Sequence, residues 1–120
     1  MREIADEFAT VADFLTIYIK EAHPEDEWQL GSNKSEDVCY TQPTDLAGRL
    51  AIARDFVQRF DYKIPIQVDR MDNTAMNAYS GWPERLYVIG ADRHIAYKGG
   101  IGPFLFAPKE VHTWLTEHTP

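Results

Sequence analysis

Asp13-Phe14-Leu15-Thr16-Ile17-Tyr18-Ile19-Lys20 is β-branched, aromatic and almost continuously apolar between its two charged ends. Such a run fits a pleated strand buried on both faces, as in parallel sheets covered by helices. Upstream, Met1 to about Val11 places Ile4, Ala5, Phe8 and Val11 at helical spacing. No Ser, Thr, Asp or Asn stands before its first turn, where a cap ordinarily sits. Downstream, Glu21 to Pro43 is polar and holds Gly31, Ser32, Asn33 and Pro43. That predicts a long loop, and a loop of this length in a compact domain more often serves function than connection.

Thr44 is placed to cap a helix reaching about Phe60, with Leu46, Leu50, Ala53 and Val57 along one stripe. Ile64 to Val68 reads as a short strand, and Pro65 points to a sheet edge. Asp72 or Asn73 can cap a short helix to Tyr79, after which Ser80-Gly81-Trp82-Pro83 breaks the chain. Arg85–Ile89 and Ile95–Lys98 flank the turn Ala91-Asp92-Arg93, a connection short enough to force an antiparallel hairpin. Gly99, Gly100, Gly102 and Pro103 predict a rigid turn with glycines at positive φ, and Pro108 starts a last helix with Val111, Trp114 and Leu115 inward. The order predicts one α/β domain over residues 1–120 whose first strand and helix lead into a parallel strand pair.

The 120 residues suit a single core, and 44% hydrophobic with 26% charged is the balance of a folded chain rather than a disordered one. A net charge of −7 argues against nucleic acid and anionic membrane, both of which need clustered Lys and Arg. No apolar run approaches the roughly 20 residues that cross a bilayer. Met1-Arg2-Glu3-Ile4-Ala5-Asp6-Glu7 lacks the basic-then-apolar layout of a signal peptide, so a cytoplasmic protein is expected. The single cysteine, Cys39, cannot form an internal disulfide and alone holds no metal. His94, His112 and His118 lack metal-ligand spacing and read as surface residues.

Four stretches resemble the iodothyronine deiodinases, a family of the thioredoxin-fold superfamily. They are Phe14-Leu15-Thr16-Ile17-Tyr18-Ile19-Lys20-Glu21-Ala22-His23-Pro24-Glu25-Asp26-Glu27-Trp28; Val68-Asp69-Arg70-Met71-Asp72-Asn73 with Ala78-Tyr79; Pro83-Glu84-Arg85-Leu86-Tyr87-Val88-Ile89; and Tyr97-Lys98-Gly99-Gly100-Ile101-Gly102-Pro103 with Pro108-Lys109-Glu110-Val111. The first and third are the specific ones. The resemblance implies a three-layer α/β/α thioredoxin-like fold with a mixed sheet. It also implies a selenocysteine or cysteine nucleophile at the start of the first helix, where the helix N-terminus favours the reactive anion. Aligned so, the chain begins inside that helix. The preceding strand and the nucleophile are then expected upstream of Met1. Without that central strand, the Phe14–Ile19 and Arg85–Ile89 strands should expose unpaired backbone and apolar faces. Truncation, or a partner chain filling the gap, follows as the expectation. Direct pairing of those two strands would contradict both.

The resemblance places Glu21 and His23 beside the nucleophile as catalytic candidates, His23 binding a phenolic oxygen or passing a proton and Glu21 tuning it. Their position after a strand's carboxyl end suits a site in an open α/β sheet, although a solvated loop pair would look the same. Trp28 either stacks on an aromatic substrate ring or pins the loop to the body. Pro83 matches the cis-proline that flanks thioredoxin-like sites, with a trans turn proline as the plain alternative. Arg85 reads as an ion-pairing residue at the strand entrance, and Gly100 as part of a turn shaping the wall of the site. Cys39 reads as a loop cysteine, since Glu36 and Asp37 oppose thiolate formation and no helix N-terminus follows. Ile101 stands where some hormone-processing members carry a basic residue, and Gln42-Pro43 where they carry a His; both departures leave room for another substrate.

Three functions therefore stand side by side. One is a thiol- or selenol-dependent reductive dehalogenase acting on a small halogenated aromatic, with an external thiol reductant and no bound cofactor. Another is a non-catalytic thioredoxin-like binding module, with exposed strand edges open to a homodimer. The third is a thiol peroxidase-like reductase, which fold alone cannot separate from the first.

Overall fold

A computed structural model describes residues 1–22 and 41–120. Its elements run α1 (Arg2–Glu7), β1 (Thr16–Tyr18), α2 (Leu46–Phe60), β2 (Ile66–Val68), α3 (Thr74–Tyr79), β3 (Tyr87–Ile89), β4 (Ile95–Lys98) and α4 (Pro108–His118). β1 and β2 form a parallel pair, Thr16 opposite Ile66 and Tyr18 opposite Val68. β3 and β4 form the expected antiparallel hairpin, Tyr87 opposite Lys98, with an irregularity between Val88 and Ile89. Among the described residues these are two separate two-stranded sheets, and β1 does not pair with β3. None of the described helices is long and apolar enough to cross a membrane.

The core lies where α1 and α4 meet the hairpin. Phe8, Val111 and Leu115 are buried together, with Ile4, Ala12, Phe14, Leu86, Val88, Tyr97 and Trp114 packed around them. Each fully buried apolar side chain of this size contributes about 1.5–3 kcal/mol relative to exposure. At the rim, His112 Nε2 lies 3.0 Å from a Glu7 oxygen and the His112 ring meets Phe8 edge-on, so the two helices are clasped by residues far apart in sequence. Pro108 opens α4 at its first turn, where a missing N–H costs nothing.

Several expectations are corrected. The first strand is three residues long, and it is not buried on both faces: Leu15 and Ile17 are 53% and 39% exposed. α1 ends at Glu7 rather than running to Val11. α2 is capped by Asp45, not Thr44, because the Asp45 carboxylate accepts from the Gly48 N–H at 2.8 Å. Its inward face carries Arg49 and Ala53, while Leu46 is exposed. Asn73 occupies the N-cap position of α3 in the left-handed region, but its side chain makes no capping bond to the helix. Asp69 supplies the cap instead, from four residues further back.

Candidate functional site

The carboxyl ends of β1 and β2 are stitched together by the Asp69 N–H, which donates to the Tyr18 carbonyl at 2.8 Å. Tyr18 turns its hydroxyl onto Glu21, donating to Oε1, and the Gln42 amide donates to the Glu21 carbonyl at 3.4 Å. Glu21 is thus a half-buried carboxylate whose position is set by its own strand. His23, Trp28 and Cys39 lie outside the described residues.

Asp69 is 5% exposed and folds its carboxylate under the first turn of α3. Oδ1 accepts from the Arg70 and Ala75 N–H groups and Oδ2 from that of Met76, each at 2.9 Å. Three donors converging on one carboxylate satisfy the charge without water. Beside it, Arg49 is 3% exposed, with Nη1 donating to the Asp69 and Arg70 carbonyls at 3.3 and 2.8 Å and Nη2 to Asn73 Oδ1 at 3.0 Å.

α3 ends on Ser80 in the left-handed region, and the Gly81 N–H donates back to Met76. Gly81 faces β1: a Cβ built there would lie 3.9 Å from Ile19 Cδ1. The Trp82–Pro83 peptide bond that follows is cis, the isomer that the resemblance implies, rather than the trans alternative. Beyond it, Pro83–Leu86 is laced to the glycine turn. The Gly99 N–H donates to Leu86 at 2.8 Å and the Gly102 N–H to Glu84 at 3.0 Å. Arg85 Nε donates to the Gly99 carbonyl at 2.8 Å, its Nη1 to the Ser80 carbonyl at 3.4 Å, and its guanidinium lies over the Tyr87 ring.

Arg85 therefore makes no ion pair among the described residues, contrary to expectation, because two backbone carbonyls and an aromatic face take its donors and charge. The glycines also correct expectation. None has positive φ. They are required for space: a Cβ on Gly99 would meet the Leu86 carbonyl at 3.0 Å, one on Gly100 the Leu105 Cβ at 2.4 Å, and one on Gly102 the Glu84 Cγ at 2.3 Å. Ile101, Phe104 and Leu105 project from this turn, Phe104 almost wholly exposed, and Trp82 is exposed nearby in sequence to Pro83.

Pro83, Arg85 and Gly100 are thus brought into one laced segment, and Ile19, two residues before Glu21, lies beside Gly81. Arg49, Asp69 and Glu84, whose hydrogen bonds tie these segments together, are not among the residues that the sequence singles out. The only advance signal was Val68-Asp69-Arg70-Met71-Asp72-Asn73 as a motif, which does not reveal that Asp69 points inward. Among the described residues, shallow clefts lie elsewhere, one of about 340 Å³ beside Tyr97 and Trp114 and one of about 260 Å³ between Arg2 and Lys63. Neither contains a candidate residue, and with one wall open to solvent they offer little enclosure for a ligand.

Residues 1–119 match the model of the family described as iodothyronine deiodinase. The chain is 40% identical to the type II iodothyronine deiodinase of Rattus norvegicus over 119 residues, which is 98% of this chain and 44% of the relative. It is 38% identical to the Homo sapiens type II iodothyronine deiodinase and 39% identical to the Gallus gallus thyroxine 5-deiodinase, in both cases over 98% of this chain and 43% of the relative. The chain spans less than half the length of these curated relatives. With the match running through β1, α3, the hairpin and the glycine turn alike, this chain belongs to the iodothyronine deiodinase family.

Proposed function

We propose that this chain supplies most of a thioredoxin-like domain that carries out reductive deiodination of a small iodinated aromatic. The family match over residues 1–119 carries this reading. A further extended strand between β1 and β3 would complete a mixed sheet. It is supported by the absence of a β1–β3 pairing among the described residues, by the exposed Leu15, Ile17 and Ile89, and by Phe14, Leu86 and Val88 bordering one core.

In this reading a thiolate or selenolate from outside these residues attacks the iodine of the aryl iodide. The carbon–iodine bond breaks, its electron pair stays on the ring carbon, and that carbon takes a proton. Two thiol molecules then reduce the sulfenyl or selenenyl iodide, leaving iodide, a disulfide and the regenerated nucleophile. His23 positions the ring's phenolic oxygen or passes the proton, and Glu21, held by Tyr18, orients it. Pro83 and the Gly99–Gly102 turn would shape a wall of the site. Ile101 in that turn favours a substrate with less negative charge at this end than a basic residue would. A second reading, a binding module without turnover, is favoured by one observation: Cys39 is the only thiol in the 120 residues.

The test is the intact mass of the protein from its native source, followed by iodide release from an iodinated phenol with dithiothreitol. A product about 30 residues longer, room for a strand and a nucleophile turn, that releases iodide and loses this activity in His23→Ala supports the enzyme. A mass equal to the 120 residues with no iodide release supports the binding module. Iodide release that survives His23→Ala refutes the role given to His23.

A further inference from the structure

Arg49 is buried on the inner face of α2, at a position where an apolar side chain would pack without desolvating a charge. Among the described residues no carboxylate lies within ion-pair distance of it, and its buried Nε has no hydrogen-bond partner. A guanidinium kept under these conditions is held for the geometry of its fork rather than for burial. That fork spans one turn. Nη1 bridges the carbonyls of Asp69 and Arg70, and Nη2 reaches the side chain of Asn73.

The bridged turn has two outputs. At one end the Asp69 N–H holds Tyr18, whose hydroxyl holds Glu21. At the other, Asp69 caps α3, and the end of α3 fixes Gly81, which precedes cis-Pro83. Arg85 then ties the Ser80 carbonyl to that of Gly99. Glu21 and the Pro83–Gly99 segment thus take their relative placement from a single turn clamped by Arg49.

We infer that Arg49 is a positioning residue of the candidate site, setting through the Asp69–Asn73 turn the separation between the Glu21 end of β1 and the Gly81–Arg85 and Gly99 segment. The inference rests on that site being functional, but its test reads geometry, so loss of the deiodination reading and loss of this one are separate events. A lysine keeps the charge and lacks the fork, so Arg49→Lys should not restore the bridge.

The experiment is amide proton–nitrogen correlation NMR on the 120-residue chain, comparing wild type with Arg49→Lys, Arg49→Met and Asn73→Gly. Asn73→Gly removes one prong's acceptor while suiting the left-handed backbone at that position. The expected result is that the Gly81, Arg85 and Gly99 amides move several-fold more than those of Val111 and Leu115 in α4, in every variant that folds. If Arg49→Met fails to fold, Arg49→Lys and Asn73→Gly carry the test. Unmoved Gly81 and Gly99 amides in folded Arg49→Lys and Asn73→Gly would overturn the inference and leave Arg49 as a structural residue only.

Discussion

Replacing Asp69 by Asn changes one atom's chemistry and should cost more than most surface changes together. Oδ2 becomes an NH₂ that faces the Met76 N–H, so two donors oppose each other in a site only 5% exposed. The bonds from Arg70 and Ala75 to Oδ1 survive but lose their charge assistance. A charge-assisted bond contributes about 1.5–3 kcal/mol, and an orphaned buried donor costs about 1–3 kcal/mol. Taking partial relaxation into account, Asp69→Asn should destabilise the fold by about 3 kcal/mol. For a chain of this size that lowers the melting temperature by roughly 10 °C. At a slope of ~1.5 kcal/mol per molar it lowers the urea midpoint by about 2 M. Urea unfolding followed by circular dichroism at neutral pH measures it, with the slope checked for constancy. A shift below about 0.5 kcal/mol would mean that the three converging N–H groups are not what holds α3, and the account of the turn would fall.

Two further outcomes follow from close geometry. Gly100→Ala should destabilise by about 1–3 kcal/mol, since its Cβ would stand 2.4 Å from Leu105 Cβ and 3.2 Å from the Leu105 carbonyl, whereas Gly81→Ala, with nothing nearer than 3.9 Å, should be neutral within about 0.5 kcal/mol; thermal melts of the pair check this. Partial burial pushes the Tyr97 hydroxyl up to about 12, and its hydrogen bond to Glu110 and that group's negative charge add to the rise. A folded-state value above the ordinary 10.0 means that the protonated form favours folding. The contribution is therefore complete below pH 10 and lost as pH climbs towards 12. Ultraviolet titration should find Tyr97 among the last tyrosines to ionise, and Tyr97→Phe should remove that step.

Much of the architecture was legible because its signals are local. The β-branched run at Thr16–Tyr18, the turn residues Ala91-Asp92-Arg93 and Pro108 at a helix start each act within a few residues. What escaped depends on neighbours distant in sequence. The charge of Arg49 reads as that of a solvent residue although it flanks the apolar stripe, and its burial is meaningful only once Asp69 and Asn73 are seen against it. Spacing points Leu46 inward, yet the buried positions of this helix are Arg49 and Ala53. Asp72 and Asn73 matched the local capping pattern, but Asp69 reaches the same N–H groups from outside that window. The glycines of the turn advertised left-handed backbone. Their need for room beside Leu86, Glu84 and Leu105 is a tertiary fact no dipeptide rule contains. At Pro83 the cis bond agrees with what motif order implies, whereas the occupation of Arg85 by carbonyls has no signal in the sequence.

The clasp between α1 and α4 has a consequence in time. Phe8 is a hub of the core, and the side chains that bury it, Val111 and Leu115, belong to the last helix; the Glu7–His112 contact alongside spans 105 positions. A ribosome delivers the hub long before its partners. Closing so large a loop brings no reward until its final turn is in place, so folding of this unit is a late, concerted event rather than a progressive one. Until α4 emerges, Phe8 and the aromatic and aliphatic residues around it have to be kept from other company.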